Sequence, residues 1–335
     1  MKANTKTKET EILEGLKSDP KFFYPKFLYN DIGVKLFAEK TKIPEYYLKN
    51  KEVSILKQNK KNIIDKFKSS EKEINIIELG VGDGIKTNII LDEIVWQNYA
   101  EKITFIPIDI NESILKYYEQ KFHEKKFPFP INPINNSFEN GIEKIPNRKE
   151  KRNIILWFGA TIGNMTARKR FDFLNNLNHL LNKNDLVVIG FDLNKKTHIV
   201  RNAYETPPND LFYFNALNTI NETLKTDFKK EDFIHFFDYD NETGEAFTKL
   251  IKKKGEKIKI KDTEISFENF EPIYISPHHK FHLSQIEQIA ENSGFRIKKY
   301  FTDSDKYFMD VIFEKIDNPK TELPSVKREP FDLKA

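Results

Sequence analysis

Apolar residues fall into short dense runs through the middle of the chain, separated by stretches in which they recur at helical spacing. INIIEL at 74–79, ITFIPI at 103–108, NIILWF at 153–158 and DLVVIGF at 185–191 are near-continuous apolar blocks of strand length. Such blocks are what strands buried on both faces require. Between them, Lys86–Val95, Glu112–Phe122 and Ala167–Leu181 carry apolar residues three and four apart, which predicts helices. Strand and helix alternating in this rhythm imply a parallel sheet covered on both faces.

After Asp192 the rhythm breaks. A helix is expected over Asn215–Leu224, and strand-like segments over Phe236–Tyr239 and Ala246–Ile251, so the stretch from 195 to about 275 reads as an insertion. A helix at Leu283–Ser293 and two strands, Arg296–Phe301 and Tyr307–Phe313, flanking a turn at Thr302–Lys306 then return to complete the sheet. Ahead of the first block, Tyr29–Gln58 has helical spacing, with Pro44 opening one segment. Residues 1 to about 10 and the tail after Glu314 are polar and read as disordered or loosely packed.

Composition narrows the chemistry. The chain has no cysteine, which excludes disulfides, thiolate catalysis and Cys-ligated zinc. Its 55 basic and 51 acidic residues nearly cancel, at +4, so no nucleic-acid partner is expected. The N-terminus lacks an apolar leader, and no apolar run reaches the ~18 residues of a membrane span, so a cytoplasmic protein is expected. Seven histidines show no HExxH-like spacing, and His278 and His279 would face opposite sides of a strand, so no metal is expected.

The candidate cofactor loop is IELGVGDGIKT, with Gly80, Gly82 and Gly84 between a strand and a helix. The dinucleotide pattern needs its third glycine one residue later, and the phosphate-loop Gly-Lys-Ser/Thr is absent, which favours a nucleoside over a pyrophosphate. Glu78, just before the loop, would repel anions and attract a cationic methionine moiety. Asp109 ends the second strand and either accepts both ribose hydroxyls or caps the following helix. Loop and acid together favour S-adenosylmethionine over NAD.

FLYNDIGVKLFAEKTKIPEYYLKNKEVSIL resembles the entry segment of the histidine-specific, S-adenosylmethionine-dependent methyltransferases that make histidine betaine for ergothioneine biosynthesis. The cofactor loop is similar to theirs, as are LWFGATIGNMTARKRFDFLNNL, VVIGFDLNKK, AYETP and FNALNTINETL, and the likeness spans about Phe22 to Phe313. It implies an α/β fold: a Rossmann-like class I methyltransferase sheet with a second α+β substrate-binding domain formed by the N-terminal segment and an insertion. The implied division is 11–70 and 196–282 for the substrate part, 71–195 and 283–315 for the methyltransferase core, and 316–335 for a tail.

The same resemblance assigns cofactor contacts to Gly80, Gly82 and Lys86, and the ribose to Asp109. Where the family carries Asp before Phe near the adenine, this chain has Ser137, whose hydroxyl would replace it. Tyr29 and Tyr46 match pocket tyrosines, and Tyr29 and Asn164 are the implied catalytic pair. Asn164 would hold the amino and carboxylate groups of the acceptor, and Tyr204 would help bind the carboxylate. Taken without the resemblance, Tyr46 could be core and Asn164 a helix cap.

One departure matters. The family reads an imidazole with an acid and, two residues on, a serine; those positions here are Ser276 and His278, and a third pocket position falls at Thr248. A serine accepts from an imidazole N–H only weakly, so that end of the pocket is rewritten. The expectation is therefore a monomeric N-methyltransferase acting on the amino group of histidine or a related amino acid. The alternative acceptor is a different amino acid or a small amine.

Overall fold

The computed structural model describes residues 7–68, 73–260 and 262–316. The N-terminal segment runs α1 (Lys8–Lys17), β1 (Lys21–Phe22), α2 (Asp31–Lys40) and α3 (Tyr47–Phe67). Alternation follows: β2 (Ile74–Leu79), α4 (Ile85–Trp96), β3 (Ile103–Asp109), α5 (Glu112–Glu124), β4 (Ile134–Asn135), α6 (Phe138–Glu143), β5 (Arg152–Trp157), α7 (Ala167–Leu180) and β6 (Leu186–Asp192). Next come α8 (Thr197–Tyr204), α9 (Pro207–Leu224), β7 (Phe233–Tyr239), β8 (Ala246–Lys252), β9 (Glu256–Ile260), β10 (Thr263–Phe267) and β11 (Glu271–Pro277). The described chain closes with α10 (Leu283–Asn292), β12 (Phe295–Thr302) and β13 (Phe308–Lys315).

Seven strands form one sheet in the order β12-β13-β6-β5-β2-β3-β4. β2 to β6 are parallel, and β13 slots antiparallel between β6 and β12. Alternate residues of β2 feed opposite faces: Ile74 and Ile76 join one apolar cluster with α3, α4 and α5, and Ile77 and Leu79 join another with α7 and α10. This is why the strand blocks are apolar throughout. It is an α/β, Rossmann-like sheet.

A second sheet has the order β1-β11-β8-β7, so the N-terminal segment contributes a strand to the insertion. It packs with α1 and α9 over a third cluster that includes Phe23, Phe212, Tyr213 and Ile273. Among the described residues, no helix is long and apolar enough to cross a membrane.

Several elements differ from the sequence expectation. α1 starts at Lys8, capped by the Thr7 side chain and anchored by buried Ile12 and Leu16, so residues 8–10 are helical; residues 1–6 and the tail from 317 lie outside the described residues. Pro44 falls in the turn between α2 and α3 rather than opening a helix. α9 begins eight residues before the expected Asn215, because proline at the first helical positions needs no N–H partner. β11 escapes the apolar pattern because Pro272 and Pro277 punctuate it. By packing, α3 covers the seven-stranded sheet, making contact with α4, β6 and β13, although it falls within the block 11–70 assigned to the substrate part.

Gly84 shows how tightly the turn after β2 is set. Its φ is +73°, and a Cβ there would lie 2.0 Å from a ring carbon of Tyr118. Gly84→Ala is therefore expected to cost about 2–4 kcal/mol from backbone strain plus overpacking. Urea unfolding should show a lower midpoint at unchanged slope.

Candidate active site

The strand order reverses at β2, with β3 on one side and β5 on the other. In open α/β sheets the crevice outside the carboxyl ends of the strands at such a point is where ligands bind. The turn after β2, Asp109 at the end of β3, the loop after β5 and Asp192 at the end of β6 all converge on that edge.

On the β2–β3 side, the Gly80 N–H donates to the Ile108 carbonyl at 2.9 Å. Gly80 and Gly82 have φ of +81° and +55°, and a Cβ on Gly82 would meet nothing within 4 Å. Asp109 is not the helix cap: Asn111 caps α5, accepting from the N–H groups of Ser113 and Ile114. Asp109 Oδ1 accepts the Asn111 N–H at 2.9 Å, and no cation pairs with the carboxyl among the described residues. Burial pushes its pKa up to about 6, against the backbone N–H groups that lower it. A carboxylate with spare lone pairs beside a glycine turn suits a diol on a nucleoside, so the residues present fit S-adenosylmethionine.

Three residues on this side have partners within the protein. Glu78 points into the core, takes a hydrogen bond from Thr87 Oγ1 at 2.5 Å, and is pushed by burial to about 8. It is mostly protonated at neutral pH and does not supply the expected negative charge. Lys86 donates to Glu52 at 2.8 Å, and Glu52 also accepts the Gly159 N–H at 2.8 Å, so this lysine ties α4 and α3 to the loop after β5. Ser137 accepts from the Asn140 N–H as the cap of α6; its neighbour Phe138 lies 3.5 Å from where a Gly80 Cβ would stand.

On the other side a narrow cavity opens between the sheet edge and the second sheet, lined by Tyr29, Tyr46, Asn164, Tyr204, Ser276 and His278 among others. The cavity thus gathers these six acceptor residues, while Thr248 is fully buried and reaches it through His278. Asn164 ends a 3-10 turn, Thr161–Asn164, and is not a cap: the Thr166 side chain caps α7. Its own side-chain amide has no partner among the described residues, and the residue lines the cavity. Tyr29 packs edge-on against Phe37 and Phe212, and burial, with Asp109 adding, raises its phenol to about 12. Tyr204 stacks on Phe237 at 4.4 Å and accepts from Lys280 at 2.8 Å.

Ser276 and Thr248 are register partners on β11 and β8, and both are buried. Ser276 donates to the Pro277 carbonyl at 3.1 Å. His278 Nε2 lies 3.0 Å from Thr248 Oγ1 and 3.3 Å from Tyr213 Oη. Burial, then Lys280 and Lys40, hold this imidazole well below its ordinary pKa, so it is neutral.

The sequence reading passed over the charges beneath the cavity. Asp192 accepts from Tyr47 at 2.9 Å, from Lys195 at 2.5 Å and from Lys280 at 2.7 Å, all with buried side chains. Burial alone would raise its pKa, but Lys195 and Lys280 outweigh that and hold it below the usual carboxylate range. Its position, an acid ending an apolar strand, was the same signal that marked Asp109. Lys40, buried among aromatic rings of this wall, carries no such signal in a chain with 55 basic residues.

A family model described as histidine-specific methyltransferase, SAM-dependent, matches residues 8–315. The chain is 27% identical over 297 residues to a histidine N-alpha-methyltransferase of Mycolicibacterium smegmatis, covering 88% of this chain and 90% of that one. It is 28% identical over 285 residues to ergothioneine biosynthesis protein 1 of Schizosaccharomyces pombe, covering 82% of this chain and 36% of that protein. Over 176 residues it is 26% identical to a 4-dimethylallyltryptophan N-methyltransferase of Claviceps purpurea, covering 51% and 50%.

Proposed function

Because the chain belongs to the histidine-specific, S-adenosylmethionine-dependent methyltransferase family, we propose that it methylates the α-amino group of histidine or a related amino acid, with Asn164 holding that group. The observation that carries the assignment to Asn164 is its amide, unpartnered among the described residues, on a residue that lines the cavity with Tyr29, Tyr46 and Tyr204.

Bound S-adenosylmethionine supplies an electrophilic methyl carbon on a sulfonium. The chain's task is to present a neutral amine in line with that carbon and to keep water out, and positioning of this kind can supply much of the acceleration. Asn164 Oδ1 accepts an N–H of the amine and so aims its lone pair, while Nδ2 donates to the acceptor carboxylate. Tyr204 already accepts from Lys280, which leaves its hydroxyl proton free to donate to the same carboxylate. Tyr29, held protonated by a pKa near 12, is no base; its ring face, with that of Tyr46, stabilises the ammonium charge as the N–C bond forms. Asp109 would hold the ribose hydroxyls.

The test is release of S-adenosylhomocysteine by purified protein over a panel of free amino acids and their N-acetyl derivatives. Turnover with a free amino acid and none with its acetylated form is expected. Equal turnover with the acetylated form, or none with any amino acid, would overturn the reading.

The carboxylate form of Asp109 is the one that accepts two hydroxyls. Cofactor affinity should therefore fall as pH drops through about 6, approaching tenfold per pH unit below it. Asp109→Ala should raise the cofactor Kd about 10–100-fold at pH 8, from the loss of hydrogen bonds to a charged acceptor. It should also abolish that pH dependence. Calorimetric titration between pH 5 and 8 reads both.

A further inference from the structure

Lys40, the last residue of α2, is 2% exposed and forms part of the cavity wall. Its Nζ lies 4.7 Å from the ring centroids of both Tyr46 and Tyr213, 5.1 Å from that of Tyr204 and 5.2 Å from that of Phe212. It donates to Tyr213 Oη at 2.9 Å. No carboxylate stands within ion-pair distance of it among the described residues. The neighbouring lysines are different: Lys195 and Lys280 share Asp192, and Lys86 has Glu52.

A buried ammonium is a severe cost unless an anion answers it. Ring faces offset part of that cost and leave the rest. Burial, with Lys280 adding, accordingly depresses the amine well below its ordinary pKa. Beyond Lys40 the polar chain continues through Tyr213, the neutral His278 and Thr248. Lys40 stands beside the Tyr204 ring; with Asn164, and Tyr204 carrying Lys280, assigned to the amino and carboxylate groups, Lys40 is the cation left for the acceptor's side chain. This end offers a buried lysine amine without a counter-ion among the described residues, which an incoming carboxylate would hold protonated, beside hydroxyl groups and no carboxylate. A neutral imidazole brings no charge to answer Lys40, whereas a second carboxylate does.

We propose that Lys40 is the specificity-determining residue of the acceptor site, and that the acceptor is an amino acid with an acidic side chain, of the aspartate and glutamate class. This rests on the reading of the site as one for amino acids.

The experiment compares kcat/KM for aspartate, glutamate, asparagine, glutamine and histidine in the wild type and in Lys40→Met, with cofactor affinity measured alongside. The wild type should favour an acid over its own amide by about 100-fold, as expected when a charged hydrogen bond and its counter-charge are both lost. Lys40→Met should bring that ratio near one while cofactor binding is unchanged. A structural role would lower turnover of all five acceptors alike and keep the ratio, which would overturn the proposal. Should Lys40→Met fail to fold, the wild-type ratio decides alone, and a value near one overturns it. Turnover of histidine with both acids inert overturns the role of Lys40 and leaves the amino-acid reading standing. Silence with all five and with every other amino acid overturns both.

Discussion

Asn164→Ala is expected to lower kcat/KM by about 100–1,000-fold while leaving cofactor affinity and folding unchanged. The amide makes no hydrogen bond within the described protein, so its removal deprives no internal partner. It also leaves the Thr166 cap of α7 intact. What is lost is the group that aims the amine, and misplacement of a reacting atom by an ångström costs about 100-fold. Because aim matters more in the transition state than in the ground state, kcat should fall more than KM rises. Asn164→Asp distinguishes orientation from mere bulk: it keeps the acceptor oxygen for the amine but repels the carboxylate, so KM should rise more than in the alanine variant. Steady-state kinetics with the preferred amino acid checks both variants.

Asp192→Ala carries the largest expected loss of stability. It strips the counter-charge from Lys195 and Lys280, which are both buried, and the acceptor from Tyr47. Breaking a buried ion pair by removing one partner costs about 3–5 kcal/mol, because the charge left behind stays desolvated. Lys195, already lowered by burial to about 8, should then deprotonate below neutral pH. Asp192 is held below the usual aspartate range, so the stability it supplies is complete above about pH 4. That contribution is lost as pH falls through the lower folded value, and the alanine variant should lack it. Urea midpoints from pH 3 to 8 measure this directly.

The large sheet was legible because its strands are buried on both faces. Blocks such as NIILWF run five apolar residues in a row after Asn153, with no alternation to confuse the pattern. The insertion was harder to read. β9 alternates lysine with isoleucine, β10 sets Glu264 and Ser266 around Ile265, and β11 carries two prolines, so none stands out from a solvated loop. At the site, Asn164, Tyr29, Tyr46 and Tyr204 could be named from motifs, and the cavity gathers them. Lys40 could not, since nothing local separates a buried lysine from a solvated one; only the approach of α9, which brings Tyr213 and Phe212 over it, does so. Glu78 misled for a related reason: adjacency to the glycine turn says nothing about which face of β2 the side chain takes.

The central claim is that the methyl group goes to the α-nitrogen of an amino acid. Purified protein should be incubated with S-adenosylmethionine and its best amino-acid acceptor, and the product fragmented in a mass spectrometer to locate the added carbon. The account predicts one or more methyl groups on the α-nitrogen and none elsewhere. A methyl group on a side-chain atom, on a carboxylate oxygen, or on a lysine of the protein itself would contradict it.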